Sequence, residues 1–279
     1  MDRIDAHQHF WKYQPREYGW MGGEAMSPIR RDFLPGDLER ELRAAGIDGA
    51  VSVQARQTLE ETNWLLDLAG QHAFLRGVAG WAPLTEPGVA GVLEQFAGRT
   101  KLKALRHILH DEPDDDYMLR PDFNAGVSLL KRFNLAYDIL IFERHLPQAI
   151  RFADRHPNQV FVVDHIAKPR IRERALSPWR ENIAELAKRD NVYCKLSGMA
   201  TEADWQAWRP EDLRPYFETV LAAFGPRRLM FGSDWPVLLL ASPYQRWHEV
   251  VTGMISGLSA SERERILGGT AVEVYKLNE

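Results

Sequence analysis

The sequence predicts a (β/α)8 TIM barrel, and three observations lead there. Short β-branched or aromatic runs of buried-strand character recur eight times along the 279 residues, each followed by a stretch with helical periodicity. Their spacing is about one βα unit. No composition shift, Ser/Gly-rich linker or low-complexity tract divides the chain, so residues 1–279 read as a single domain. A doubly wound open sheet is the other arrangement of a βα series, because local pattern does not say whether a sheet closes. Eight units within about 250 residues favour closure.

The strands are expected at residues 3–7, 49–54, 75–82, 103–109, 135–141, 160–165, 192–197 and 228–234. Pro35, Gly36 and Asp37 open the first helix, which Gly46 closes. Ser177 and Pro178 open another that ends near Asp190, and Pro210 opens one that runs to Phe224 before Gly225 and Pro226. Ser259 with Glu262 makes a capping box for a last helix that stops at Gly268 and Gly269. The first connection, residues 10–34, breaks the regular spacing. It holds Phe10, Trp11, Tyr13, Tyr18, Trp20 and Met21 without a helical period, and so long a loop is usually functional. It reads either as a pocket wall or as a plug that stabilises the barrel mouth.

Composition narrows the function. With 45% hydrophobic and 27% charged residues the chain can bury a large core, which excludes disorder. There are 35 Lys+Arg against 39 Asp+Glu, a formal charge of −4, so no basic footprint exists for nucleic acid or an anionic membrane. The single cysteine, Cys194, has no internal disulfide partner, and residues 1–5 contain no apolar stretch that could act as a signal peptide. No apolar run is long enough to span a bilayer. A soluble, cytoplasmic protein with a small-molecule partner is expected; its oligomeric state is not readable.

In a barrel of this type chemistry belongs at the C-terminal ends of the strands, and reactive side chains collect there. Strand one ends in His7, Gln8 and His9; strand two in Gln54 and Arg56; strand three in Trp81; strand four in Arg106, His107 and His110. Strand five carries Asp138, strand six ends in Asp164, His165 and Lys168, strand seven in Lys195 and Ser197, and strand eight in Asp234 and Trp235. Five of the nine histidines lie at or just beyond strand ends, which scattered surface placement would not produce. Residues i and i+2 share a strand face, so His7 and His9 point together into the mouth, where two imidazoles can share a cation or a water. Asp234, between Gly232 and Pro236, is either a pocket carboxylate or a turn residue. Asp138 inside an apolar strand must be paired, as a site residue or as a partner for a cation across the barrel. Arg106 and His107 alternate, so only one of them faces inward. There is no G-x-S-x-G elbow, zinc-helix H-E-x-x-H, P-loop or G-x-G-x-x-G. Cys194 reads as a packed, inert thiol.

Ile4-Asp5-Ala6-His7-Gln8-His9-Phe10-Trp11, Asp164-His165-Ile166-Ala167-Lys168-Pro169, Cys194-Lys195-Leu196-Ser197-Gly198 and Met230-Phe231-Gly232-Ser233-Asp234-Trp235-Pro236 resemble the amidohydrolase superfamily, and more narrowly its sugar-lactonase branch, the L-fuconolactonase and L-rhamnonolactonase group. The resemblance runs from the first strand to residues 266–271. It implies hydrolysis of a sugar lactone, L-fucono-1,5-lactone or a close relative, by an activated water. It further implies that His7 and His9 stand at the superfamily's first-strand metal ligands, His165 at its sixth-strand histidine and Asp234 at its eighth-strand acid/base. Arg106-His107 replaces the fourth-strand ligand of binuclear members, and Asp138 replaces the fifth-strand histidine. A cofactor is therefore not strictly required, and at most a single zinc on His7, His9, His165 and Asp234 is implied.

Lactone hydrolysis needs a deprotonated water, a polarised carbonyl and a proton for the leaving alkoxide. Asp234 is the candidate base and proton donor, with His7, His9 and His165 on the water or carbonyl oxygen. Gln54, Arg56, Arg106, His107 and Asp138 are candidates for sugar hydroxyls, and Trp11, Trp81 and Trp235 for a sugar face. A metal-dependent decarboxylase or amidase and a catalytically silent barrel that binds a sugar acid are the competing readings.

Overall fold

The computed structural model describes residues 1–278; Glu279, included in the expected domain, lies outside the described residues. Eight parallel strands follow one another in a single sheet in chain order: β1 (Ile4–Gln8), β2 (Gly49–Val53), β3 (Leu75–Gly80), β4 (Leu102–Ile108), β5 (Ala136–Leu140), β6 (Phe161–Val163), β7 (Val192–Leu196) and β8 (Leu229–Phe231). The ring closes beyond the ends of β1 and β8, where His9 N donates to Trp235 O at 2.7 Å and Asp234 N to His7 O at 2.8 Å. The barrel, not the open sheet, is the architecture.

Each expected strand is present, within a few residues of its predicted limits. The ends of β6 and β8 fall short for one reason: the residues that follow leave extended geometry. His165, Ile166, Ala167 and Lys168 all have φ between 46° and 61°, and Asp234 has φ 61°. Left-handed backbone costs a non-glycine residue roughly 1 kcal/mol or more, so packing and hydrogen bonds must hold these turns in place.

Ile4, Ala6, Val51, Val53, Ala79, Ala104, Ala136, Val162 and Met230 fill the barrel interior, closed from below by Ala271, Tyr275 and Leu277 of the C-terminal segment. Small residues on several strands leave room for that plug. A second, larger core lies between the sheet and the surrounding helices. Helix limits follow the punctuation: helix Pro35–Ala45 has Gly46 at its C-cap, and helix Pro210–Phe224 starts at its proline. Helix Trp179–Leu186 ends sooner than expected. The capping box of Ser259 and Glu262 is present, but Gly268 and Gly269 do not stop the last helix. They lie within a π turn, Arg265–Gly269, that runs on into helix Thr270–Val274. Gly268 is there for close approach: a Cβ would collide with the Asp2 backbone.

Residues 10–34 contain only a short 3-10 turn, Glu24–Ile29. Trp11 anchors the loop by a bridge to Phe33 and by its indole N–H, which donates to Ile29 O at 3.3 Å and Arg31 O at 2.9 Å.

Candidate active site

Simple alternation along β1 does not by itself deliver its two histidines to the mouth. Ile4 and Ala6 face the interior core, while Asp5 bonds the hydroxyl of Tyr244 in the helix layer at 2.9 Å. The strand register then shifts between Asp5 and Gln8. Past this bulge the faces exchange: Gln8 turns to donate to Ser52 Oγ at 2.6 Å, and His7 and His9 meet inside with their Nε2 atoms 3.2 Å apart. His9 is fixed by its Nδ1, 2.8 Å from Val53 O.

The left-handed turn after β6 aims His165 at the same point. Its Nδ1 is 2.9 Å from Ser197 Oγ, and its ring lies against Gly198, where a Cβ would strike it. Asp234 completes the group, its Oδ1 standing 3.3 Å from His9 Nε2, 3.7 Å from His7 Nε2 and 3.9 Å from His165 Nε2. Burial alone would raise the Asp234 carboxyl, but the facing His165 and His9 outweigh it and hold it below the ordinary carboxylate value. Burial pushes His7 and His165 well below the usual imidazole value, so both rings are neutral at neutral pH beside an ionised carboxylate.

Beneath this group runs a chain of buried charges. Tyr275 OH donates to Asp138 Oδ1 at 2.8 Å. Lys195 Nζ contacts Asp138 Oδ2 at 2.5 Å, Asp164 Oδ1 at 2.9 Å and His7 Nδ1 at 3.3 Å. Arg106 Nη1 donates to Asp164 Oδ2 at 2.9 Å. The C-terminal plug is thus joined to the clustered histidines through two cations and two carboxylates. Above the group opens a cavity of about 330 Å³, whose wall includes His9, Trp11, Trp20, Met26, Arg106, His110, Phe142, His165, Lys168, Trp205 and Asp234.

The amidohydrolase family matches this chain over residues 4–277. The chain belongs to the amidohydrolase family. It is 42% identical to an L-fucono-1,5-lactonase of Burkholderia multivorans, over 99% of this chain and 97% of that one, and 37% identical to an L-fucono-1,5-lactonase of Burkholderia ambifaria, over 99% and 96%. A crystal structure of an amidohydrolase from Burkholderia multivorans with bound zinc has 42% identity, covers 99% of each chain and superposes with a TM-score of 0.95.

Amidohydrolase chemistry raises the question of a metal, and the donor set fits one. A tetrahedral ion bound at about 2.0–2.1 Å keeps its ligand atoms about 3.3 Å apart. The His7–His9 and His9–Asp234 separations of 3.2 and 3.3 Å match that edge, and His7, His9 and Asp234 form a candidate cation site among the described residues.

Of the residues singled out from the sequence, His9, Trp11, Arg106, His165 and Asp234 line the cavity and His7 lies directly beneath it. Six candidates for substrate contact lie off the wall. Gln54 is spent on Arg106, whose Nη2 reaches its Oε1 at 2.9 Å. Arg56 pairs with Glu17 at 3.0 Å and borders a neighbouring cleft. Trp81 and His107 bond one another at 3.3 Å, and His107 is drawn outward by Glu112 at 2.6 Å and stacked on Tyr117. Arg106 is therefore the inward member of its pair. Asp138 is the partner of Lys195 rather than a wall residue, and Trp235 packs behind the site on Phe10 and Phe33. Lys195 and Asp164 lie at the centre of the buried charge chain, a role that strand-end placement alone does not reveal. Their signal was the one that marked Asp138, an ionisable group inside an apolar strand. Within the first loop, Trp11, Trp20 and Met26 form pocket wall, whereas Tyr18 borders the neighbouring cleft.

Proposed function

We propose that this amidohydrolase hydrolyses a sugar lactone, L-fucono-1,5-lactone or a close relative, to the sugar acid. The observation that carries the reading is the convergence of one ionised carboxylate, Asp234, with three imidazoles on the floor of a cavity sized for a monosaccharide. The two lactonases at 42% and 37% identity support the substrate class.

In this mechanism Asp234 takes a proton from a water as the water oxygen bonds to the lactone carbonyl carbon. His9 and His165 orient the water and the carbonyl oxygen, with His7 supporting both from below. When the tetrahedral intermediate collapses the ring C–O bond breaks, and Asp234 returns its proton to the departing oxygen, so protons balance within one turnover. Trp11 and Trp20 give the sugar an apolar face, and Arg106 brings positive charge to the floor. His7, His9 and Asp234 would hold a single zinc, with His165 facing Asp234 beside them, and the ion when bound would supply Lewis-acid polarisation. We place the whole chain, residues 1–279, in one working domain acting on a small sugar lactone in the cytoplasm, with neither nucleic acid nor membrane as partner. No helix among the described residues is long and apolar enough to cross a membrane.

A panel of aldonolactones assayed by acid release tests the reading. L-fucono-1,5-lactone is expected among the best substrates, and no turnover on any member would refute it. Chelator is expected to lower turnover less than tenfold, because Arg106-His107 and Asp138 replace the fourth- and fifth-strand ligands of the binuclear members that the sequence resembles; near-complete loss restored by Zn²⁺ would make the enzyme metal-dependent. Trp11→Ala is expected to raise KM about tenfold, or about 1.4 kcal/mol of binding; unchanged KM and kcat would reduce the loop to packing.

A further inference from the structure

Of the imidazoles on the cavity wall, His110 is the one outside the Asp234 group. It sits on a short 3-10 turn, Leu109–Asp111, directly after β4. Two contacts fix its ring: the Phe142 ring, with centroids 4.6 Å apart, and the Asp111 carboxylate, whose Oδ1 lies 2.7 Å from Nδ1. A carboxylate only accepts, so the ring proton belongs on Nδ1 and Nε2 carries a lone pair. Burial first, and then the Lys168 cation, lowers the ring to about 4, so the lone pair stays unprotonated at neutral pH. Among the described residues nothing bonds Nε2, and the side chain, 16% exposed, opens on the cavity. Its surroundings on the wall are apolar: Ile108 and Leu140, register partners on β4 and β5, and Phe142. A polar acceptor there is costly to desolvate unless a ligand donor replaces its water. The charged groups of the wall do not serve that need. Arg106 and Lys168 can only donate, Glu202 is paired with Lys168, and Asp234 faces its imidazoles.

We propose that His110 is a specificity-determining residue whose Nε2 accepts a hydrogen bond from one ring hydroxyl of the lactone, while Phe142 and Asp111 hold the imidazole at a fixed angle. The contact selects for a hydroxyl donor at one ring position, because a deoxy analogue would set an apolar carbon against that lone pair. This deepens the lactonase reading and rests on it for the identity of the ring.

Wild type and His110→Leu should be compared by acid release on L-fucono-1,5-lactone and on its monodeoxy analogues, each lacking one ring hydroxyl, with thermal melts to confirm folding. His110→Leu is expected to lower kcat/KM on the parent lactone about five- to tenfold, the worth of one neutral hydrogen bond. On one analogue, where wild type is already reduced by a similar factor, the substitution should cost nothing further. No loss, or the same loss on every substrate, overturns the proposal, because a packing role would not single out one hydroxyl. A second measurement needs no variant: the ¹⁵N shifts of His110 in free wild type should show Nδ1–H with Nε2 unprotonated, and millimolar L-fuconate, the product acid, should move the Nε2 resonance. An Nε2–H ring, or an Nε2 resonance that L-fuconate leaves in place, overturns the proposal whether or not the variant folds. If wild type turns over none of the lactones the proposed activity fails, and the Nε2 resonance still decides whether His110 meets the sugar.

Discussion

Asp234→Asn is expected to lower kcat by about 10³-fold or more while leaving the melting temperature close to wild type. Positioned base catalysis is worth about 10² to 10⁴ in rate, and Asp234 is asked to act twice in each turnover, first taking a proton and then giving it back. The amide is nearly isosteric, so no cavity opens. It is also unusually well suited to this backbone, because φ at 234 is 61° and asparagine tolerates left-handed geometry better than most residues. The backbone bonds that seat the residue, Asp234 N to His7 O at 2.8 Å and Leu238 N to Asp234 O at 2.9 Å, do not involve the side chain. Steady-state acid release on the best lactone, with a thermal melt alongside, checks both halves. Near-normal turnover in the folded variant would remove Asp234 from the mechanism even if the lactonase activity itself stood.

The fold was legible because the signals that set it are local. Strand periodicity and helix punctuation placed every β-strand, and closure followed from their number. The mouth of the barrel was legible in part. Asp234 and His165 could be picked out as strand-end polar residues, yet their left-handed turns could not, since non-glycine residues adopt that geometry only when tertiary packing over-determines it. The β1 bulge was likewise invisible: two residues of spacing between His7 and His9 predict a shared face, but not that the face changes after Ala6. Direction at a strand end decided between Arg106 and His107, and the deciding groups, Gln54, Asp164 and Glu112, come from other strands and a following turn. Trp205, from the connection after β7, reached the cavity wall by a path with no local signature.

Lys195→Met is expected to be the most destabilising single change in the interior, costing about 3–5 kcal/mol, the usual penalty for removing one partner of a buried charge group. The ammonium is fully buried and meets two fully buried carboxylates, Asp138 and Asp164, so its loss leaves negative charge uncompensated at the centre of the barrel. The effect has a pH signature. Burial already raises the Asp138 carboxyl from 3.8 to about 6, against the opposing pull of Lys195. A folded-state value raised above the unfolded one contributes stability that is complete below the unfolded pKa and is lost as pH rises through the folded pKa. Removing Lys195 raises Asp138 further, so the deficit of the variant should be larger at pH 8 than at pH 5, where protonation relieves the unpaired charge. Urea unfolding of both proteins at the two pH values reads this directly. A small deficit independent of pH would mean that Lys195 contributes by packing its stem rather than by neutralising the carboxylates that connect the C-terminal plug to His7.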